Sequence, residues 1–413
     1  MNITILRGSG QIGGTCIRLN SGRCEILLDL GQPLDPTSAP VCTADFSPDA
    51  VLISHPHQDH FGLIEKLDPQ TPIYMGRLGR ELIDATRIFT RRTLLANNFR
   101  DIGKHPFAVG AFRVTPILVD HSAVDAYAFL VEADGKRLLY SGDFRAHGRK
   151  SVLFDRLLQR INPGIDALLM EGTMLYRNNQ DFPDEQSVEE AIAQILEKKE
   201  TLSVLLCSSQ NIDRLVSAYR ACKRTGSTLV VDFYTAWILE RVGQVSSAVP
   251  RLGWPNIGLY ASFSQDCILK EKPDYFGDFR SRAYKSRIPF ETLTQKPARY
   301  LVVCRMSQGS LIERLKGEGT LNLIYSQWTG YLDPRPGVPK VYGVEAIRRL
   351  RDDRHINFVL IHTSGHAVLS DLQRFAEALG PRRLIPVHTE HPGSYENYFE
   401  NVLHLTDGEE AVL

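Results

Sequence analysis

Short apolar runs alternate with tight polar turns through the first 150 residues. Runs at 3–6, 16–19, 25–29 and 51–53 predict strands, as do those at 111–119, 126–132 and 138–140. Gly8-Ser9-Gly10 and Gly13-Gly14 break the first of them, and Asp134-Gly135 predicts a hairpin turn. The pattern then changes. Residues 187–198 and 212–224 carry helical periodicity, the second ended by Gly226, with strands predicted at 203–207 and 228–231. Strand, helix, strand in that order predicts a parallel unit. Residues 250–295 read as less regular, rich in Pro, Gly and aromatics. Strands are predicted again at 300–304, 321–325, 358–361 and 384–387, with a helix at 369–379 before Gly380-Pro381.

The chain has 413 residues, with 48 basic and 48 acidic side chains, so bulk positive charge is excluded as a way of holding nucleic acid, while a local basic groove is not. The longest apolar runs, such as Leu301-Val302-Val303-Cys304, are far too short to cross a bilayer, and no membrane partner is expected. The opening residues have no basic segment followed by a long apolar one, so no signal peptide is expected. Seven cysteines without a Cys-x-x-Cys pair predict buried thiols in a reducing cytoplasm, and leave any metal to His and carboxylates.

His55-Pro56-His57-Gln58-Asp59-His60 follows the apolar run ending at Ile53 and places four candidate metal ligands within six residues. A tight loop after a strand can aim alternate side chains at two neighbouring points. Imidazole with carboxylate suits Zn²⁺, with Mn²⁺ as the alternative ion. Other strand ends supply more candidates: Asp120-His121-Ser122, Ser141-Gly142-Asp143-Phe144-Arg145, and His388. The Gly-rich turn at 8–14 lacks the Lys-Ser/Thr of a phosphate loop and leads into a strand, so a dinucleotide site is rejected.

With these residues in place the chain resembles the metallo-β-lactamase fold. Met170-Glu171-Gly172-Thr173, Thr363-Ser364-Gly365-His366-Ala367 and Pro386-Val387-His388-Thr389-Glu390 resemble the three further motifs of its β-CASP nuclease branch. Ser307-Gln308-Gly309 is similar to a turn in the inserted domain of ribonuclease J-type enzymes. The resemblance implies an α/β architecture, an αββα sandwich core with an inserted α/β β-CASP cap, divided as core 1–175, insertion 176–345 and core 346–413. The active site is expected between core and cap.

The resemblance also implies a metal-dependent phosphodiesterase acting on single-stranded RNA, as an endonuclease, a 5′ exonuclease or both, through a hydroxide activated by two ions. In that reading His55, His57 and His121 hold one Zn²⁺; Asp59, His60 and His388 hold the other, and Asp143 bridges. Asp59, His366 and Glu171 are the catalytic candidates, with His366 helping the leaving oxygen depart and Glu171 orienting it or a ligand. Ser364, Gly365 and His366 are candidates for a phosphate. A histidine at the third motif points to RNA ahead of DNA. The alternatives are a DNA nuclease of the same branch and a small-molecule metallo-hydrolase. No sign of ribonuclease J's C-terminal dimer domain is seen, which leaves a homodimer and a protein partner open.

Residues 270–290 carry six basic and three acidic side chains interleaved with Tyr275, Phe276, Phe279, Tyr284 and Phe290. That mix can track a phosphate backbone and stack bases, making Arg280 and Arg282 candidate substrate ligands. The competing reading is a solvated surface packed inward by its apolar side. A second basic segment runs from Arg77 to Lys104.

Overall fold

The computed structural model describes residues 1–35, 38–43, 47–333 and 341–413. The chain forms two units: Met1–Arg80 with Leu95–Asn179 and Gly365–Leu413, and Glu81–Leu94 with Gln180–Ser364.

The first sheet of the first unit is built from β1 (Asn2–Arg7), β2 (Cys16–Ser21), β3 (Cys24–Leu28), β4 (Ala50–Leu52), β5 (Pro72–Met75) and β6 (Asn98–Asp101). Its second sheet has β7 (Phe107–Val109), β8 (Phe112–Leu118), β9 (Tyr127–Ala133), β10 (Lys136–Tyr140) and β11 (Ala167–Glu171). The second unit holds β12 (Leu202–Leu206), β13 (Thr228–Val231), β14 (Ile257–Leu259), β15 (Tyr300–Cys304), β16 (Leu321–Tyr325) and β17 (Ile356–Leu360). The chain then returns to the first unit with β18 (Leu384–Val387) and β19 (Glu410–Val412). The strand orders are β19-β1-β2-β3-β4-β5-β6, β18-β11-β10-β9-β8-β7 and β14-β13-β15-β12-β16-β17.

Strand periodicity explains the layers of the first unit. Along β9, Phe129, Val131 and Ala133 join the core shared with Ile3, Ile17 and Leu28 of the first sheet. Ala128 and Leu130 face the other way, into a cluster with Phe154 and Leu157 of helix Val152–Arg160 and Leu372 and Phe375 of helix Leu369–Leu379. β10 and β11 repeat the alternation, with Leu138 and Leu169 inside the sandwich and Leu139 and Met170 under the helices. Each large side chain so buried contributes about 1.5–3 kcal/mol. The Asp134-Gly135 turn forms as expected, both residues having positive φ, 52° and 68°, which the twist of a two-residue hairpin favours.

In the second unit every strand pair is parallel. Leu202, Leu206, Val302 and Leu323 pack in its core beside Ile312 and Ile347. Helix Ile212–Thr225 ends at Gly226, whose φ of 70° gives the left-handed cap expected there.

Three expectations are corrected. The return to the first unit falls at Gly365, not 346, because β17 pairs with β16 along its length, from Leu321–Ile356 to Tyr325–Leu360. Residues 250–295 are not irregular: they hold β14 and the short helices Phe263–Glu271, Pro273–Phe276, Phe279–Tyr284 and Phe290–Gln295. The cysteines are all free, but Cys42 is exposed and Cys24 and Cys267 are partly so. Among the described residues, no helix is long and apolar enough to cross a membrane.

Candidate metal centre

β4 ends at Leu52, and Ser54-His55 follows at its carboxyl end. Pro56 carries the chain to His57, whose extended backbone caps the short helix Gln58–Phe61. The loop is tied to the end of β3 by Leu30 N–H donating to the His60 carbonyl (2.8 Å) and Gln32 N–H to the Gln58 carbonyl (2.9 Å). Gly31 permits this approach: a Cβ there would lie 1.7 Å from the Asp59 carbonyl oxygen.

The loop contributes to two sets of donors, all in the first unit, which the ends of β8, β10 and β18 complete. In one, His55 Nε2 lies 3.1 Å from His57 Nδ1, and His121 Nε2 lies 3.3 Å from the same atom. Four ligands at 2.0–2.1 Å around a tetrahedral ion stand roughly 3.3–3.4 Å apart, so these nitrogens have the spacing of ligands to one cation. In the other, His60 Nε2 lies 3.8 Å and His388 Nε2 3.9 Å from Asp59 Oδ2. Asp143 Oδ2 reaches both sets, at 3.2 Å from His60 Nε2, 3.6 Å from His55 Nε2 and 3.7 Å from His388 Nε2.

The fit to a metal rests on unmatched atoms. His60 Nε2, His388 Nε2 and Asp143 Oδ1 are buried and have no hydrogen-bond partner. A buried polar atom left unmatched costs about 1–3 kcal/mol. Three converging on one place, with a chemistry of imidazole and carboxylate, suit a divalent cation.

The opposite ring nitrogens are held so that Nε2 of each ring faces inward. Asp29 is fully buried, and its carboxylate accepts from His60 Nδ1 (2.7 Å), Ser54 N (2.6 Å), Ser54 Oγ (2.7 Å) and Tyr140 Oη (2.6 Å). Ser54 Oγ, having given its proton to Asp29, accepts from His55 Nδ1 at 3.0 Å. One carboxylate thus orients a ligand of each set. His121 Nδ1 donates to the Gly365 carbonyl at 2.7 Å, and His388 Nδ1 lies 2.8 Å from Thr15 Oγ1, just past the Gly-rich turn, and accepts from Gly13 N–H of that turn at 3.4 Å. His388 N–H donates to the Gly8 carbonyl (2.7 Å), and its own φ is 51°. A left-handed non-glycine residue costs about 1 kcal/mol or more, and here it aims a donor.

Electrostatics follow. Burial first, then neighbouring imidazoles, holds His55 and His121 well below the ordinary histidine range, and burial lowers His57 and His388. These rings are neutral near pH 7, the form that binds metal. Burial would lower His60 too, but Asp143, Asp29 and Asp59 outweigh it and hold the ring well above the ordinary range. Burial opposes ionisation of Asp143, yet His388, His60 and His366 keep it well below the usual carboxylate range.

His366 Nδ1 lies 3.1 Å from Glu171 Oε2 and 3.7 Å from Asp143 Oδ2. Burial opposes its charge, but Glu171 and then Asp143 raise its pKa to about 9. Glu171 is fixed in turn, accepting from Phe144 N and Thr173 N at 3.2 Å each.

The structure therefore brings together His55, His57, Asp59, His60, His121, Asp143, His388, His366 and Glu171. Gly365 sits against His121 through its carbonyl, and Ser364 is buried as the last residue of the second unit. Arg280 and Arg282 lie in the second unit and are engaged by carboxylates. Arg280 is bound two-pronged to Asp266 (2.7 and 3.1 Å), and Arg282 pairs with Glu240 and Asp278 at 3.0 Å each. Their aromatic neighbours Phe276 and Phe279 are buried around Trp237.

Asp29, Ser54 and Thr15 were not expected. Asp29 had a signal, a carboxylate ending the apolar run Ile26-Leu27-Leu28. Ser54 and Thr15 had none.

The Beta-lactamase superfamily domain matches residues 27–205, and the Zn-dependent metallo-hydrolase RNA specificity domain matches residues 356–400. Ribonuclease J of Sinorhizobium meliloti is 23% identical over 358 residues, 83% of this chain and 57% of that protein. Ribonuclease J of Helicobacter pylori (strain ATCC 700392 / 26695) is 23% identical over 428 residues, 95% of this chain and 56% of that protein. The chain thus spans little more than half the length of these relatives. A crystal structure of a protein of unknown function from Enterococcus faecalis V583 superposes with a TM-score of 0.75, at 20% identity, over 100% of this chain and 99% of that one.

Proposed function

Because this chain is a metallo-β-lactamase-fold protein of the β-CASP, ribonuclease J-like kind, we propose that it is a metal-dependent hydrolase of RNA phosphodiesters. The observation that carries this is the convergence of the unmatched His60 Nε2, His388 Nε2 and Asp143 Oδ1 beside the His55–His57–His121 set. His55, His57 and His121 would hold one divalent ion, Asp59, His60 and His388 a second, with Asp143 shared. Zn²⁺ fits the donors and the matched domain, with Mn²⁺ as the alternative. Bound there, such ions supply Lewis acidity and a nucleophilic hydroxide at neutral pH.

The chain's own residues do the rest. Asp29 orients His60 directly, and His55 through Ser54, so that Nε2 of each ring faces the centre. His366, kept protonated by Glu171 and Asp143, is the acid that supplies a proton to the departing oxygen of the ribose. Glu171 positions His366 and touches no substrate. RNA is favoured over DNA by the RNA specificity domain matched over the stretch that carries His366 and His388.

The test uses metal-loaded protein and matched single-stranded RNA and DNA oligomers, each with a 5′-monophosphate or a 5′-hydroxyl, and Asp59→Ala as control. RNA cleavage lost in the variant is expected. Cleavage of DNA alone would overturn the substrate, and cleavage of neither would overturn the activity.

A further inference from the structure

His121 and Asp143 belong to different loops, the first after β8 and the second after β10. Any ion shared between their sets depends on the spacing of those loops. Strand β9 lies between β8 and β10, so the sheet itself does not pair them. Beyond the strand ends they meet at one point, an isolated antiparallel bridge between Asp120 and Arg145. Asp120 adjoins His121 in sequence, and Arg145 is two residues beyond Asp143.

We propose that Asp120 and Arg145 are positioning residues whose buried ion pair fixes the spacing between the His121 and Asp143 donors. Both side chains are fully buried, with Arg145 Nε 3.4 Å from Asp120 Oδ1. Arg145 N–H donates to the Asp120 carbonyl at 2.7 Å, so backbone and side chain join the same two residues. The clamp has further members. Gly148 N–H donates to Asp120 Oδ2 (2.9 Å), and Lys150 Nζ donates to the His121 carbonyl (3.1 Å) and lies 3.6 Å from Asp120 Oδ1. The turn closes over the pair so tightly that a Cβ on Gly148 would lie 2.4 Å from Asp120 Oδ2 and 2.5 Å from Arg145 Nε.

Stability alone is a poor account of this pair. Removing two charges from water costs about as much as their attraction returns, and well-packed apolar replacements are often neutral or stabilising. What an apolar pair cannot do is direct two loops at once through oriented donors and acceptors. The role left to it is geometric, and it acts on the donors next to it. The inference rests on the metal-dependent reading above.

The test compares wild-type protein with the double variant Asp120→Leu/Arg145→Met. Melting temperature, Zn²⁺ affinity by chelator competition, and kcat and KM on RNA are measured on both. Groups orienting metal ligands typically alter affinity by about 10–100-fold. The expected result is a melting temperature near that of the wild type, Zn²⁺ affinity weakened by about that factor, and kcat lowered with KM unchanged. Wild-type affinity and kcat in a folded double variant would overturn the positioning role. If the double variant does not fold, Arg145→Lys carries the test. It keeps the charge but not the planar donors. A smaller loss of Zn²⁺ affinity is expected, and unchanged affinity would again overturn the proposal. Wild-type protein that takes up no metal would instead overturn the functional reading, and this inference with it.

Discussion

Two buried polar clusters sit at the carboxyl ends of strands, one in each unit, and they are built on opposite plans. In the second unit Asp232, just past β13, accepts from Arg305 Nη2 (2.6 Å), Gln265 Nε2 (2.7 Å) and Thr235 N (2.9 Å), and Arg305 Nη1 also donates to Ser209 Oγ (3.0 Å). Opposite charges are paired within that cluster. In the first unit six imidazoles and three carboxylates gather, and three of their atoms are left unmatched. The Asp232 cluster neutralises its own charges; the cluster of the first unit leaves donors open for a cation. Position at a strand end is common to both, so position alone does not mark a reactive site. The unmatched atoms do.

Substitutions sharpen the contrast. The largest expected effect is on activity: Asp143→Asn should lower RNA turnover by roughly a thousand-fold or more, since several kcal/mol of transition-state stabilisation depend on the ions it would share. Its melting temperature should stay within a few degrees of the wild type by calorimetry. Asp232→Asn should do the reverse, lowering unfolding free energy by about 1–3 kcal/mol, because it leaves a half-buried guanidinium without its counter-charge. Equal loss of activity and stability in both variants would erase the distinction.

The same pair gives a pH signature. Burial opposes ionisation of Asp232, but Arg305 outweighs it and lowers the pKa to about 2. A depressed carboxylate stabilises the fold above its unfolded pKa of about 3.9 and loses that contribution as pH falls toward 2. The stability gap between wild type and Asp232→Asn should therefore be constant from pH 7 to 5 and narrow below pH 4, as read by denaturant titration. A gap that widens on acidification would contradict the pairing.

Asp29→Asn should weaken divalent-ion binding by about 10–100-fold, measured by chelator competition, since the amide cannot accept from every group that converges on the carboxylate. The smallest effect is expected at Arg282. Its guanidinium is already paired with Glu240 and Asp278, so Arg282→Glu should leave the salt dependence of RNA binding unchanged. A shallower salt slope would return this arginine to the substrate-binding surface.

These cases also show what the chain discloses before folding. The residues that converge in the first unit were legible because each group of them follows an apolar strand run, and a strand delivers its next residues to one edge of a sheet. Strand pairing made the sandwich legible in the same way, through the alternation in β9 and β10. The partners of the donors were not. Thr15 meets His388 from the other end of the chain, and Ser54 is one polar residue among many, so only the tertiary contact distinguishes them. The pairing of the basic and aromatic segment at 270–290 was hidden for a related reason. Counting charges shows that guanidiniums are present, but Asp266 and Glu240 sit outside or at the margin of the window and claim them. The extension of the second unit past 345 depends on β17 finding β16, a pairing that no local pattern announces.

The most direct test is metal content. Wild-type protein and His388→Ala, purified in parallel without added chelator, would be analysed by inductively coupled plasma mass spectrometry for bound Zn²⁺ and Mn²⁺. Two ions per wild-type chain are expected, falling to about one in the variant, because the Asp59–His60–His388 set loses a ligand while the His55–His57–His121 set is intact. Metal-free wild-type protein that takes up no ion on reconstitution, or a variant that holds as much metal as the wild type, would contradict the assignment of these unmatched atoms to a metal centre.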